Sequence, residues 1–318
     1  MKGKRSRVAT SGKARIAKAA AMMAILAAAA ALGGCLRRSS GPPPVPRGTV
    51  VLRDVPYVTD GHARQVLDLY LPKDAARPPL VILIHGGAFR GGSKSNENAA
   101  RWLREGYAVA AVDYRLSGDA IFPAQIEDCK TAVRWLRAHA GRHGYDPERF
   151  GVYGTSAGAH LAAMVGTTGG PSAFDVGEHL GISSRVQAVV DNYGPTDFLQ
   201  MDAHRLPEGQ VHDAPDSPES ALIGGSVQEH PERVRAASPL AYVSADDPPF
   251  LVVHGDRDPL VPHHQSELLV AALERAGVPV TFYTVKGGGH GRFDDPEVAR
   301  LQLEFFARHL RGESADTR

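Results

Sequence analysis

The chain has 318 residues, of which 43% are hydrophobic and 22% are charged, an ordinary composition for a globular protein with a large core. Its formal net charge is +1, but residues 1–34 carry seven basic side chains and no acidic one, so the remainder is mildly acidic. An acidic folded part argues against nucleic acid as a partner.

The chain begins with a pattern typical of an export signal. A basic stretch precedes the apolar run Ala19–Leu32, whose 14 residues are short for a membrane span and suit the apolar core of a signal peptide. The run ends in LGGC, which resembles the bacterial lipobox, where a lipidated cysteine becomes the N-terminus after cleavage. We therefore expect a lipoprotein signal peptide over residues 1–34, lipid on Cys35, and attachment to a membrane of the bacterial cell envelope. An uncleaved anchor and an ordinary signal peptide are the alternatives.

A proline-rich stretch separates this signal from the rest of the chain. Residues 35–48 predict a tether, and residues 49–312 predict the folded domain. The second cysteine, Cys129, lies in an apolar helical pattern and is expected to be a small buried core residue. If Cys35 carries lipid, Cys129 has no partner, so no disulfide framework is expected.

From residue 49 onward, segments typical of strands alternate with segments typical of helices. Two stretches with alternating apolar positions predict an opening antiparallel pair, at 49–58 and 64–71. Continuous apolar runs predict strands buried on both faces, at 79–85, 107–114, 149–154, 186–194, 249–255 and 280–285. Helical periodicity with one apolar face lies at 124–140, 264–276 and about 296–310. This alternation predicts an α/β fold, a mostly parallel central sheet with helices on both faces. A polar stretch at about 198–239 interrupts it and predicts a small cap insertion.

The segment GTSAG, residues 154–158, follows a predicted buried strand and opens a predicted helix. Ligands of parallel sheets bind beyond the carboxyl ends of the strands, so functional residues are expected there. A serine between two such glycines, in a strand-to-helix turn, is typical of a nucleophile elbow. The strained turn leaves no room for side chains two residues before and after the serine, which accounts for Gly154 and Gly158. Ser156 is therefore the candidate nucleophile.

A second glycine-rich segment, HGGAFRGG, begins at His85 directly after a central predicted strand. Backbone N–H groups in such a loop can stabilise the negative charge that develops on a carbonyl oxygen during acyl transfer. The expected donors are the amides of Gly87 and Ala88, together with that of Ala157 after the serine, and Gly86 is the alternative if the loop is offset by one. A plain glycine turn remains the structural alternative. His85 is expected to shape this loop by hydrogen bonding.

A nucleophilic serine needs a base, and the base needs a carboxylate that fixes its tautomer. The segment VVHGDRDPLVP places Asp256 and Asp258 after a predicted strand, two residues apart, so periodicity does not choose between them. His290 lies in the glycine-rich segment VKGGGHGRF after the last predicted strand, where its imidazole can reach back to Ser156. The order serine, acid, histidine is the one expected of this fold class.

The other histidines near these motifs have structural explanations. His160, one helical turn after Ser156, is expected to pack beside the turn, and His254 is expected to be structural. His263 and His264 are adjacent, point apart, and lack the companions of a metal site, so no metal is expected.

These segments together resemble the α/β-hydrolase superfamily, and within it the group of bifunctional feruloyl and acetyl-xylan esterases and hormone-sensitive-lipase-like carboxylesterases. The resemblance runs from LDLYLP at residue 67 to the last helix and includes HGGAFRGG, VDYRLS, GTSAGAHLA, ASPLAYV, PPFLVVHGDRDPLVP and GGGHG. It implies Ser156 as nucleophile, His290 as base and, through the pattern H-G-x-x-D, Asp258 as the acid. The chain departs from the family at three positions: Ala88 stands where a third glycine is common, Phe89 in place of a frequent tryptophan, and Ala159 in place of a frequent glycine.

The resemblance implies a serine carboxylic-ester hydrolase that works through an acyl-enzyme without metal or organic cofactor. Its substrates are expected to be small to medium esters, with acetyl and feruloyl esters of carbohydrates among the candidates. The alternatives are a serine peptidase of the prolyl-oligopeptidase type and a non-catalytic binding protein on the same fold.

Overall fold

The computed structural model describes residues 44–73, 75–291 and 293–313. The predicted signal peptide at 1–34, the lipidation site Cys35 and most of the predicted tether at 35–48 lie outside the described residues. Within the described part of the chain, no helix combines the length and the apolar character that a membrane span requires.

An eight-stranded sheet forms the centre of the described chain. Its strands are β1 (Val50–Pro56), β2 (Val66–Leu71), β3 (Leu80–Ile84), β4 (Ala108–Val112), β5 (Phe150–Thr155), β6 (Ala188–Asn192), β7 (Phe250–Gly255) and β8 (Val280–Val285). The spatial order is β1-β2-β4-β3-β5-β6-β7-β8. The pairs β1–β2 and β2–β4 are antiparallel, and every later pair is parallel. The predicted opening antiparallel pair and the mostly parallel sheet are both confirmed.

Eight α-helices accompany the sheet in the described residues. They are α1 (Ala99–Arg104), α2 (Ala124–His143), α3 (Ala157–Thr167), α4 (Met201–His204), α5 (Pro218–Ile223), α6 (Pro231–Ala237), α7 (His264–Ala276) and α8 (Pro296–Arg311). The three helices predicted from apolar periodicity correspond to α2, α7 and α8. The sequence did not predict α1, because six residues are too few to show a helical period.

The strands at the centre of the sheet are buried on both faces, as their continuous apolar runs predict. In β3, Leu80, Ile82 and Ile84 pack into one core cluster, and the alternate residues pack into the other. The first cluster receives apolar side chains of α2, α3 and α7, and the second receives those of α1 and α8. Cys129 of α2 is 2% exposed in the first cluster, as expected, and burial raises the pKa of its thiol well above the usual range.

The segment between β6 and β7 carries the short helices α4, α5 and α6. Its apolar side chains, including those of Phe198, Leu222 and Ile223, are buried in the first of these core clusters. Arg90 lies in the glycine-rich loop after β3, and its guanidinium donates to the backbone carbonyls of Asp216 and Ser217. The insertion is therefore packed onto the carboxyl end of the sheet, where it covers the ends of the central strands.

Candidate active site

Ser156 occupies the sharp turn between β5 and α3. Its backbone is in the left-handed region, with φ 53° and ψ −122°, a strained conformation for a residue with a side chain. A Cβ atom on Gly158 would overlap the carbonyl oxygen of Ile84, and one on Gly154 would overlap the carbonyl oxygen of Gly158. The two glycines thus allow three backbone segments to meet around the serine, which is the steric constraint inferred from the sequence.

Three polar side chains from separate loops meet at this turn. The Nε2 atom of His290 lies 3.0 Å from the Oγ atom of Ser156, and its Nδ1 atom lies 2.7 Å from Oδ2 of Asp258. Because an ionised carboxylate only accepts, Nδ1 carries the proton and Nε2 is left to accept the serine O–H. The arrangement can remove a proton from Ser156 and hold the resulting imidazolium against a carboxylate.

The other acid of the same loop lies apart from this chain of hydrogen bonds. Asp256 is exposed, and its Oδ1 accepts the N–H of Gly287 at 2.6 Å. Asp258 is 2% exposed, and its Oδ1 accepts the backbone N–H groups of Leu260 and Val261 at 2.8 and 2.9 Å. Only the second of the two acids is therefore within reach of His290.

The charge on Asp258 is stabilised by its surroundings. Burial alone would raise the pKa of this carboxyl, but hydrogen bonds from His254 and His290, the imidazole charge and the amide of Val261 hold the pKa well below its usual range. The Nε2 atom of His254 lies 3.3 Å from Oδ2 of Asp258. The acid is therefore ionised wherever the protein is folded at moderate pH.

His254 is a partner of Asp258 that the sequence interpretation missed. Its Nε2 lies 3.0 Å from the carbonyl oxygen of Val261, and its Nδ1 lies 2.7 Å from Oγ of Ser266. Since a carbonyl only accepts, Nε2 carries the proton and directs it toward the loop that holds Asp258. The spacing of four residues between His254 and Asp258 is the sequence signal that could have indicated this contact.

The loop after β3 turns its backbone toward Ser156. Gly87, Ala88 and Phe89 have φ of 127°, 54° and 58°, and the carbonyl of Gly87 accepts the N–H groups of Arg90 and Gly91. Ala88 and Ala157 line the same cavity as Ser156, whereas Gly87 does not. Within the described chain, none of the three predicted amides, of Gly87, Ala88 and Ala157, donates to a protein acceptor, and those of Ala88 and Ala157 belong to residues at the cavity, where both are free to bind an oxyanion.

Two further histidines support the loops around the serine. His85 is fully buried, stacks on Tyr114 at a centroid distance of 4.4 Å, and lies with its Nδ1 2.7 Å from the carbonyl oxygen of Gly86. His160 is buried and lies with Nδ1 2.8 Å from the carbonyl oxygen of Pro195, and burial lowers its pKa to about 4. Both have the packing roles that the sequence suggested.

A small cavity opens beside the serine. Its volume is about 60 Å³, and its wall is mostly apolar. The lining residues are Ala88, Phe89, Ser156, Ala157, Pro195, Gln210, Pro218, Glu219, Leu260, Val261 and His290. Among the described residues, no group of three or more His, Cys, Asp or Glu side chains could hold a metal ion. The site therefore offers nucleophile, base, acid and two free amides around a confined space.

The chain is similar to known proteins over most of the described domain. The BD-FAE family model matches residues 67–273. The chain is 34% identical over 242 residues to Esterase LipC of Mycobacterium tuberculosis, a match that covers 74% of this chain. The chain spans 59% of the length of that curated relative, and 59% of the related Esterase LipQ.

Two solved structures share the fold over most of the chain. One is described as a truncated form of a carbohydrate esterase from gut microbiota, with a TM-score of 0.75, 35% identity, and coverage of 86% of this chain and 100% of that one. The other is an acetyl ester-xyloside bifunctional hydrolase from Caldicellulosiruptor lactoaceticus, with a TM-score of 0.65, 26% identity, and coverage of 82% and 96%. The α/β-hydrolase fold expected from the sequence is thereby confirmed.

Proposed function

The chain belongs to the BD-FAE family, and from this membership together with the site geometry we propose that it is a serine carboxylic-ester hydrolase. The observation that carries the proposal is the continuous hydrogen-bonded chain from Ser156 through His290 to the buried carboxylate of Asp258. The named relatives are esterases, which favours an ester substrate over the peptide substrate of a prolyl-oligopeptidase-type enzyme.

The proposed reaction proceeds in two halves. In the first, His290 takes the proton of Ser156 while Oγ attacks the ester carbonyl, and the amides of Ala88 and Ala157 bind the oxyanion. The C–O bond to the alcohol then breaks, and His290 returns the proton to the leaving oxygen. In the second half, His290 activates a water that attacks the acyl-serine, so the acid is released and Oγ regains its proton.

The size of the cavity supports a small acyl group. About 60 Å³ is roughly the room that four or five water molecules need. An acetyl group suits such a space, whereas a feruloyl group with its aromatic ring is larger than it. The two structural relatives are a carbohydrate esterase and an acetyl ester-xyloside bifunctional hydrolase. We therefore propose acetyl esters of carbohydrates ahead of feruloyl esters.

The assay that tests the proposed function compares the wild type with Ser156→Ala on p-nitrophenyl acetate. Loss of the nucleophile is expected to lower kcat by at least about 10³-fold, because the base then has no oxygen to activate. A proline p-nitroanilide, offered in parallel, is expected to remain intact. Equal ester hydrolysis by the two proteins would contradict the proposal, as would preferential cleavage of the anilide.

We also propose that the chain is exported and held at the bacterial envelope by lipid on Cys35. The support is the sequence of residues 1–35, in which a basic segment, an apolar run of 14 residues and a small-residue cleavage pattern follow one another.

A further inference from the structure

A buried carboxyl group that the proposed reaction does not use lines the candidate active-site cavity. Glu219, in the first turn of α5, is 4% exposed and shares the cavity with Ser156 and His290. Its Oε2 atom has no well-aligned hydrogen-bond partner among the described residues. A buried polar group in this state is unusual, because losing contact with water without a replacement hydrogen bond costs free energy.

A buried histidine stands behind this carboxyl group. The Nδ1 atom of His212 lies 3.1 Å from Oε2 of Glu219, and the histidine is 1% exposed. Neither ring nitrogen makes a well-aligned hydrogen bond within the described chain. His212 therefore contacts the carboxyl group without being one of the residues that line the cavity, whereas Glu219 is one of them.

The positions of both residues are fixed by hydrogen bonds to their backbone neighbours. The carboxylate of Asp202 accepts the N–H of His212 at 2.8 Å and that of Asp213 at 2.9 Å. On the other side, the hydroxyl of Ser217 caps α5, and the carbonyl of Ser217 accepts from Arg90 at 2.7 Å. The backbone that carries His212 and the start of the helix that carries Glu219 are thus both anchored, which limits how far the carboxyl group can move, as a preorganised binding group requires.

The chemistry of the cavity indicates what would satisfy this group. An ionised carboxylate only accepts hydrogen bonds, so its partner must be a donor. A purely aliphatic ester offers none, so on displacing water from the cavity it would leave the carboxyl group with its contact to His212 alone. An acyl group as small as acetyl carries no hydroxyl, so the donor has to come from the alcohol portion of the substrate.

We propose that Glu219 is a specificity-determining residue that accepts a hydrogen bond from a hydroxyl group on the alcohol portion of the ester. His212 is the positioning residue that orients the carboxyl group. This inference rests on the proposed ester hydrolase activity and narrows its substrates to esters of polyols, such as partly acetylated sugars, in which a free hydroxyl lies near the scissile bond.

The test uses two esters that differ by one hydroxyl group, cyclohexyl acetate and 2-hydroxycyclohexyl acetate. The wild type is expected to favour the hydroxylated ester in kcat/KM by roughly ten-fold, the effect of one hydrogen bond to a charged group. Glu219→Leu is expected to abolish this preference. Glu219→Gln, which keeps the shape and a weaker acceptor, is expected to reduce it. On cyclohexyl acetate neither variant is expected to lose activity, and Glu219→Leu is expected to gain activity, because that ester then no longer displaces water from a carboxyl group without giving a hydrogen bond in return.

Matched controls separate recognition from structure. Glu232→Gln removes a largely exposed carboxyl group from the same insertion and is expected to change neither ester. His212→Phe is expected to lower the preference, through KM of the hydroxylated ester, without lowering kcat for cyclohexyl acetate. Cyclohexyl glycolate, with its hydroxyl on the acyl portion, is expected to gain nothing from Glu219.

An unchanged preference in Glu219→Gln and Glu219→Leu would overturn the inference, as would an equal loss on both acetates. A loss confined to cyclohexyl glycolate would overturn the assignment to the alcohol portion. In each of these cases the wild type still hydrolyses p-nitrophenyl acetate, so the proposed function stands. Failure of the wild type on p-nitrophenyl acetate contradicts the proposed function and this inference with it.

Discussion

The carboxylate of Asp258 is surrounded by four hydrogen-bonding groups from its own loop and from two histidines. Two backbone amides bind Oδ1, while the imidazoles of His290 and His254 approach Oδ2 at 2.7 and 3.3 Å. This environment keeps the charge next to Nδ1 of His290. The proposed chemistry depends on that charge, because it sets the tautomer that leaves Nε2 free to take the serine proton.

Removal of the charge tests this dependence. Asp258→Asn is expected to lower kcat for p-nitrophenyl acetate by about 10³–10⁴-fold, since an amide can present its N–H to the imidazole and favour the wrong tautomer. Asp256→Asn is the matched control, and it is expected to stay within a few-fold because Asp256 is exposed and its carboxylate accepts only the backbone N–H of Gly287 among the described residues. Similar losses in the two variants would show that Asp258 has no special role.

The individual site residues differ in how far the sequence predicts them. Ser156 and His290 each stand alone in a distinct motif, so the sequence indicates them directly. Asp256 and Asp258 could not be separated by periodicity, because the path of the loop, with Asp256 turned back to Gly287, depends on contacts with the loop after β8. Glu219 was missed because an acidic residue in the first turn of a helix is ordinarily explained by its favourable interaction with the positive N-terminal end of the helix dipole. Only the tertiary position of α5 places it beside the serine.

At the scale of elements, the turn from β5 to α3 is the junction on which the site depends. The helix begins directly under the strained serine, and the backbone of the loop after β3 passes against Gly158. A side chain at this glycine would push the end of β3 away from the start of α3. The loop after β3 and the start of α3 each supply one candidate oxyanion amide, so the distance between loop and helix matters for both the stability and the chemistry of the site.

Alanine substitutions measure this constraint. Gly158→Ala is expected to lower the free energy of unfolding by roughly 2–4 kcal/mol, because the added Cβ overlaps the carbonyl oxygens of Ile84 and His85. Gly141→Ala is the control, since this helical glycine of α2 has open space around it and alanine there is expected to add about 0.5–1 kcal/mol. Urea denaturation gives both values. A neutral Gly158→Ala would contradict the steric account of the turn.

Strands and helices were predictable from the sequence where the core buries them completely. Continuous apolar runs indicated the central strands because both faces of the sheet are covered. The spatial order of the strands, in which β4 lies between β2 and β3, was not predictable from local patterns, since it arises from pairings between distant segments. The short helix α1 owes its form to packing against the sheet, and the helices of the insertion owe theirs to packing on one another and on α7.

At the scale of the whole molecule, the charge distribution divides the chain. The basic residues of the first 34 positions precede a mildly acidic remainder, a division typical of an exported protein whose signal is removed. The proposed anchor at Cys35 would place the site outside the cytoplasm, where polymeric or diffusing esters reach it.

Substitution of the proposed lipidation site tests this arrangement. The full chain expressed in a bacterial host is expected to incorporate radiolabelled palmitate and to sediment with membranes. Cys35→Ser is expected to lose the label, because no thiol remains to receive the lipid, and Cys129→Ser is expected to retain it because the Cys129 thiol is buried. Label that persists in Cys35→Ser would contradict the proposal.

The most direct test of the central claim is covalent labelling by a fluorophosphonate probe, followed by peptide mass mapping. A serine activated by His290 and Asp258 is expected to form one adduct per chain, located on Ser156, and Ser156→Ala and His290→Ala are expected to remain unlabelled. An adduct on another residue, or a wild-type protein that stays unlabelled while fully folded, would contradict the account.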